Sequence, residues 1–365
     1  MNCSGVSSAI HTKDLVLRVL MSPGTGDGFV SGQELAARCR VSRTAIWKAV
    51  QILVRQGFRI EAVRNRGYHL SGTGEMLSGE AVTALLPQHF AGRITVYKTL
   101  DSTITEAKRI CAACGAPRDA AGHLTEAGRS IHRSVVIAEQ QTAGRGRLGR
   151  SFYSPAGTGV YLSILYVPEK GIIQPARMTT AAAVAVCRSL ETLYGVKAGI
   201  KWVNDVFVGG KKVCGILTEG VSNFETGIIE TAIVGIGVNI TDGADGFPAE
   251  IAGVAGSVLG KTSSSRITRN ELAAAIVRET LSIYDMEESG DGSGIAAVMR
   301  EYRNRSLIIG KAVEVFPVPG RTGNAYKAVA VDVDDQARLI VQNDKGERIA
   351  LQSGEITLHS GSFST

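Results

Sequence analysis

Hydrophobic positions repeat with two different periods along this chain. Residues 45, 46, 49, 50, 53 and 54 are apolar, the spacing of one helical face turned toward a core. Ser42 precedes the run as an N-cap and Gly57 follows it as a stop signal. Upstream, Ser31 with Glu34 three residues later has the form of a capping box and opens a helix that runs to about Arg38. Arg40 and Val41 form the turn between the two. "FRIEAVRNRGYHL" then alternates around Asn65-Arg66-Gly67, which predicts a β-hairpin. Helix, turn, helix and hairpin together predict a winged helix over residues 1–72, with 1–12 as a tail. The outward face of its second helix carries Arg43, Thr44, Trp47, Lys48 and Gln51, and the wing tip carries Arg64 and Arg66. These are the donors, and the aromatic, that such a helix presents to base edges and phosphates.

After the linker "SGTGE" (71–75) the two periods mix. "ITVYKTLDSTITEAKRI" predicts a strand, a turn at Asp101-Ser102-Thr103 and a helix. "SVVIAEQ" and "GVYLSILYVP" are apolar, β-branched or aromatic runs that read as strands. "QPARMTTAAAVAVCRSLETLYG" and "NELAAAIVRETLSIYDMEE" predict helices, the first buried on one face. "IKWVNDVFVGGKKVCGILTEG" reads as strand, turn, strand, and "FETGIIETAIVGIGVNI" as two more strands. The order is α+β with a mixed sheet rather than repeated βαβ, and this central body is expected over 76–305. The hairpin from Val206 to Val213 is expected at a sheet edge, and the stretch from Cys111 to Arg133 as a surface loop. From Ser306 onward, short alternating strands with turns at Pro319-Gly320, Asp334-Asp335 and Asp344-Lys345-Gly346 predict a small SH3-like β-barrel over 306–365.

Charge sharpens this division. Residues 1–74 hold ten Lys/Arg and four Asp/Glu, while 75–365 hold thirty of each, so the net charge of +6 lies wholly in the first module. A basic module on a neutral body suggests that the module meets a polyanion. No apolar run approaches the roughly 18–20 residues of a membrane span, and the N-terminus lacks the pattern of a secretory signal. Six scattered cysteines suit a reducing compartment, so a cytoplasmic protein is expected. Cys111 and Cys114 form one CxxC without a second pair to complete a metal site. They are expected as two helix residues, and no metal ligands are assigned.

"GRGRLG" (144–149) matches the dinucleotide-binding pattern G-x-G-x-x-G. A strand precedes it, but another strand follows where a Rossmann turn needs a helix N-terminus. Three guanidiniums, Arg145, Arg147 and Arg150, also stand where small neutral residues belong. With Lys201 at the end of an apolar strand they form a cationic set suited to phosphate and carboxylate. No nucleophile–base arrangement accompanies them.

These segments resemble the biotin protein ligase family. The residues that carry the likeness are "DST" (101–103), "EQQTAGRGRLGRSFYSP" (139–155), "KWVNDV" (201–206), "KKVCGILTE" (211–219) and "GIGVNI" (235–240). With a winged helix in front, the chain resembles the bifunctional class that combines ligase and biotin-operon repressor. The resemblance implies a catalytic domain of class II synthetase-like fold. It implies that biotin's carboxylate attacks the α-phosphate of ATP, with Mg²⁺, to give biotinyl-5′-AMP. A lysine of a biotin carboxyl carrier protein domain then takes the biotin. It implies that Ser102, Thr103, Ile104 and Gln140 meet the ring end of biotin, that Gly215 lies in the apolar biotin wall, and that Arg145, Gly146, Arg147 and Lys201 surround its carboxylate. Arg145, Arg147, Arg150 and Asn239 fall to the nucleotide, with Arg147 and Lys201 as the catalytic pair. Operator DNA and a ligand-promoted homodimer are the further partners implied. A lipoate-type ligase or transferase of shared fold, and a non-catalytic ligand-sensing repressor, are the alternative readings. The chain departs from the family pattern at Ile104, where the usual D-S-T-N has Asn, and at Val203, where the usual K-W-P-N-D has Pro.

Overall fold

The computed structural model describes residues 12–21, 28–55, 57–72, 76–87, 90, 93–169, 174–223, 227–261, 265–316, 325–352 and 355–358. Most of the expected N-terminal tail, the last part of the 71–75 linker and the Pro319-Gly320 turn fall outside them. The chain forms two compact units, one of residues 1–96 with 265–274, the other of 97–264 with 275–365.

The first unit begins with α1 (Thr12–Met21), α2 (Gly32–Cys39), α3 (Arg43–Arg55), β1 (Arg59–Val63), β2 (Gly67–Gly72) and α4 (Gly79–Ala84), and ends its first stretch in β3 (Ile94–Tyr97). Ser31 caps α2 by accepting from the Glu34 N–H at 3.1 Å. Arg40 ends that helix in the left-handed region (φ 55°). Ser42 accepts from the Ala45 N–H at 3.2 Å and so opens α3. Ile46, Ala49, Val50 and Leu53 of α3 are buried with Val16, Leu17 and Leu35. Val54, expected to face inward, is exposed, because it lies at the margin of a helical stripe that this small core does not reach around to cover. α4 packs with this module: Ala81 belongs to its core and Ala84 lies against it. The start of α4 is held by Asn270, which accepts from the Ser78 N–H and donates to the Met76 carbonyl, each at 3.0 Å.

The second unit contains α5 (Thr103–Cys114), α6 (Glu126–Ile131), β4 (Val135–Ala138), β5 (Gly159–Tyr166), α7 (Pro175–Tyr194), β6 (Ala198–Lys201), β7 (Asp205–Val208), β8 (Lys211–Ser222), β9 (Ile229–Asn239) and α8 (Ala249–Ala252). α9 (Arg269–Glu288) runs across the division, and α10 (Gly292–Asn304) follows it. Within the second unit the main sheet has the order β4-β5-β9-β8-β7-β6. Residues 229–239, expected to contribute to two strands, form the single long strand β9, since an unbroken apolar run between β5 and β8 is buried on both faces. The hairpin between β7 and β8 is not at the edge, because β6 pairs with β7 outside it. The stretch from Cys111 to Arg133 is only partly loop: α5 continues to Cys114 and α6 follows. Between them Arg118 is buried and donates to the carbonyls of Gly122 and Glu169.

Side chains alternate across β8. Leu217 packs with Ile104 of α5, while Thr218 accepts from Thr179 of α7 at 2.7 Å, so the two helices cover opposite faces. A second, antiparallel sheet joins β10 (Ala312–Phe316), β11 (Tyr326–Val333), β12 (Leu339–Asn343), β13 (Arg348–Leu351) and β14 (Glu355–Leu358) in the order β13-β12-β11-β10-β14. It is tied to the main body beside Lys201, where the Trp202 indole N–H donates to the Ala337 carbonyl at 2.9 Å.

Candidate functional site

A cavity of about 340 Å³ opens on the α5 face of the main sheet. Its floor begins at the N-terminus of α5. Ser102, buried, caps that helix by accepting from the Ile104 N–H at 3.2 Å. Beside the cap, Arg109 bonds Asp101 and holds its carboxyl below the ordinary carboxylate range. Thr103, also buried, sits in a chain of hydroxyls and an amide. The Ser163 hydroxyl donates to the Thr103 hydroxyl at 2.8 Å, the Gln141 side-chain oxygen accepts from the Thr103 N–H at 2.8 Å, and the Gln141 amide donates to Ser154 at 2.9 Å. Gln141 therefore occupies the position expected of Gln140. Gln140 does not line the cavity; its backbone carbonyl accepts the Leu100 N–H, and the next residue along the extended chain points inward. Ile104 packs across Gly235 so closely that a Cβ there would lie 2.5 Å from its Cδ1.

The walls come from β8 and β9. Gly215 pairs with Gly237, and Leu217 with Gly235, all lining the cavity. The Phe152 ring lies directly on Gly215 and Gly237, where a Cβ would stand 3.2 and 2.5 Å from it, so the two glycines make room for that ring. Asn239, at the end of β9, lines the same cavity and donates to the Gly256 carbonyl at 3.1 Å.

The glycine–arginine loop closes the rim. Arg145 and Ser151 form an antiparallel bridge, the Gly146 N–H donates to the Arg150 carbonyl at 2.7 Å, and residues 147–149 make a 3₁₀ turn at the tip. Gly144 is required at its base, since a Cβ would stand 2.3 Å from the Phe152 carbonyl. The loop is thus a hairpin excursion, not the strand-to-helix turn of a dinucleotide site. Arg145, Gly146, Arg147 and Arg150 all line the cavity, as does Lys201 at the end of β6. Arg147 donates to the Asn204 side chain at 3.0 Å, and Arg145 pairs with Glu219 at 3.1 Å. Lys212 and Asp205, paired at 2.7 Å, stand on the wall as well. Sequence reasoning did not single out Asn204, Asp205, Lys212, Glu219 or Gln141. All five lie inside the motifs quoted above, where only strand parity could have sorted inward from outward residues.

In the first unit, α3 and the β1–β2 hairpin line a shared groove that includes Arg43, Thr44, Trp47, Arg64 and Arg66. Lys48 and Gln51 are exposed on the same helix. Trp47 is 54% exposed, and the Arg66 guanidinium lies 4.1 Å from the centre of the Phe29 ring. Asn65 takes the left-handed conformation (φ 65°) at the wing turn.

Comparison with known proteins bears on both regions. Residues 25–69 match the model of an HTH domain, and residues 129–239 that of the biotin/lipoate A/B protein ligase family. A bifunctional ligase/repressor BirA of Bacillus spizizenii is 29% identical over 322 residues, covering 88% of this chain and 91% of the relative. A biotin–[acetyl-CoA-carboxylase] ligase of Mycobacterium tuberculosis is 34% identical over 236 residues, covering 64% of this chain and 81% of the relative. In fold, the chain is like a biotin protein ligase from Aquifex aeolicus solved with biotin and ATP, with a TM-score of 0.56 at 22% identity, over 73% of this chain and 99% of that one. No helix among the described residues is long and apolar enough to cross a membrane. With the cavity, the loop and these relatives in agreement, the chain belongs to the biotin/lipoate A/B protein ligase family and carries an N-terminal HTH domain.

Proposed function

We propose that this protein is a biotin–[biotin carboxyl-carrier protein] ligase that also acts as a biotin-responsive, DNA-binding repressor in the cytoplasm. The observation that carries the first half is one cavity that joins a floor of hydroxyls and an amide, an apolar wall that includes Ile104, Phe152 and Leu217, and a rim of cations. A ureido ring needs both donors and acceptors, and Ser102, Thr103 and Gln141 supply them. The apolar wall of Ile104, Phe152 and Leu217 takes the apolar body and directs the carboxylate to Arg145, Arg147 and Lys201. A carboxylate oxygen attacks the α-phosphorus of ATP, the bond to the bridging oxygen breaks, and pyrophosphate leaves. A carrier lysine then attacks the acyl carbon and AMP departs. Each step moves negative charge through a crowded centre, so the chain's task is to position and neutralise, and no protein nucleophile is needed. Mg²⁺ enters with ATP as part of the substrate. Asp205 on the cavity wall fits it, since Mg²⁺ commonly takes one or two carboxylates plus substrate phosphates. Asn239 is assigned to the adenine side.

Incubation with labelled biotin, ATP, Mg²⁺ and a carrier domain tests this reading. Label on the carrier lysine is expected. Label from lipoate but not biotin would replace the assigned substrate, and no label from either would remove the activity.

Residues 1–72 are assigned to operator DNA, residues 76–305 to catalysis and 306–365 to a C-terminal SH3-like domain. One winged helix offers few phosphate contacts for a specific site, which argues for a dimer on two half-sites, promoted by the adenylate. Sedimentation with and without biotinyl-5′-AMP is expected to show more dimer with it. An unchanged monomer population would leave a ligase with a DNA module and no ligand control.

A further inference from the structure

β8 carries Gly215, Leu217 and Glu219 on one face, at the period of two that a strand imposes. The first two line the cavity, and Glu219 stands one step further along the same face. Its side chain is 18% exposed, and it serves two cations. One carboxylate oxygen is 3.1 Å from the Arg145 guanidinium of the glycine–arginine loop, and the other pairs with Lys108 of α5. Neither Glu219 nor Lys108 lines the cavity, whereas Arg145 does. Arg145 is itself 45% exposed, and a long exposed side chain loses considerable rotamer entropy when it is fixed. A half-buried carboxylate on a rigid strand supplies that fixation in advance. A guanidinium has five donors, so one bond to Glu219 leaves others for a ligand anion.

We propose that Glu219 is a positioning residue for the adenylation site: it holds Arg145 over the cavity so that the loop retains the acyl-adenylate between the two half-reactions. Glu219 touches no substrate and acts through Arg145. Lys108 shares the carboxylate and ties the same residue to the helix that bears Ser102 and Thr103. The inference rests on the ligase reading above.

The test is the rate at which pre-formed biotinyl-5′-AMP leaves the full-length protein, measured by displacement with excess unlabelled adenylate, for wild type, Glu219→Gln, Arg145→Ala and the double variant. Glu219→Gln is expected to release the adenylate about tenfold faster, the scale of one hydrogen bond to a charged group, with its thermal midpoint near that of wild type. Adding it to Arg145→Ala should cost little more, since both act through one guanidinium. Glu219→Asp, one methylene shorter, is expected to fall between Gln and wild type, and it serves in place of Gln should that variant fail to fold. Release within twofold of wild type for the folded Glu219 variant would overturn the proposal. So would a double variant whose effect equals the product of the single ones, because Glu219 would then act independently of Arg145. A wild-type protein that binds no adenylate would instead break the ligase reading.

Discussion

The chain's two sets of cations are built differently. In the winged-helix module, Arg43, Lys48 and Arg64 are exposed and make no ion pair among the described residues. Around the cavity, each of several cations is braced by its own acceptor: Arg145 by Glu219, Arg147 by Asn204 and Lys212 by Asp205. The contrast separates two ways of meeting an anion. Unbraced, hydrated side chains suit a long polyanion whose phosphates arrive at many angles, where affinity comes from displaced counterions. Braced ones suit a single ligand whose charge develops at one place, because the cost of ordering has been met before the ligand arrives.

The largest expected effect lies among the cations around the cavity. Lys201→Ala or Arg147→Ala should slow biotin-dependent pyrophosphate exchange by about 10²–10³ without unfolding the protein. A change below threefold in both would place the chemistry elsewhere and leave the bracing with no catalytic meaning. The unbraced set should respond to salt instead. Removing Arg43, Lys48 or Arg64 singly is expected to reduce the slope of log affinity against log salt by about one for each phosphate left without its cation, while the salt dependence of adenylation stays as it was. Equal slopes for variant and wild type would show that these residues do not meet phosphate.

The smallest effect concerns the covalent independence of the two regions. A chain beginning at Glu75 should still label the carrier and should not bind DNA. It would lose the module's core from against Ala81 and Ala84, so its thermal midpoint should fall by about 2–4 °C for each kcal/mol of packing lost. Asn270 would still hold the first residues of α4. Loss of ligation in the shortened chain would mean that the module is needed for the cavity itself.

Much of this contrast was legible in the sequence, and what was missed has a common cause. Caps, turn residues and helical periodicity are local, so Ser31, Ser42 and Asn65 read correctly from their neighbours alone. The cations of the loop were also visible, being concentrated in six residues. Their braces were not, because Asn204 and Glu219 are distant in sequence and are brought near only by strand register. The same cause moved the inward glutamine from 140 to 141, where a shift of one residue exchanges the faces of an extended chain. The long strand β9 gives a two-strand pattern in the sequence because a strand buried on both faces shows no alternation to mark its length. The edge assigned to the β7–β8 hairpin failed for a related reason: β6 is only four residues long, and its pairing outside β7 has no sequence signal of its own.

Ile104 has a consequence for inhibitor selectivity. Its methyl groups rest on Gly235 at the floor of the cavity, where the family pattern D-S-T-N puts an amide. A synthetic compound carrying a small alkyl group toward this point would fill apolar space here, and in an enzyme with asparagine it would strand a buried amide. Pockets built to hydrogen-bond a partner discriminate strongly against a compound that lacks it, whereas a purely apolar pocket distinguishes by about 1–3 kcal/mol per methylene. On the proposed function, residue 104 would be the place to separate this chain pharmacologically from a ligase that keeps the D-S-T-N pattern, through a compound that asks for less rather than more.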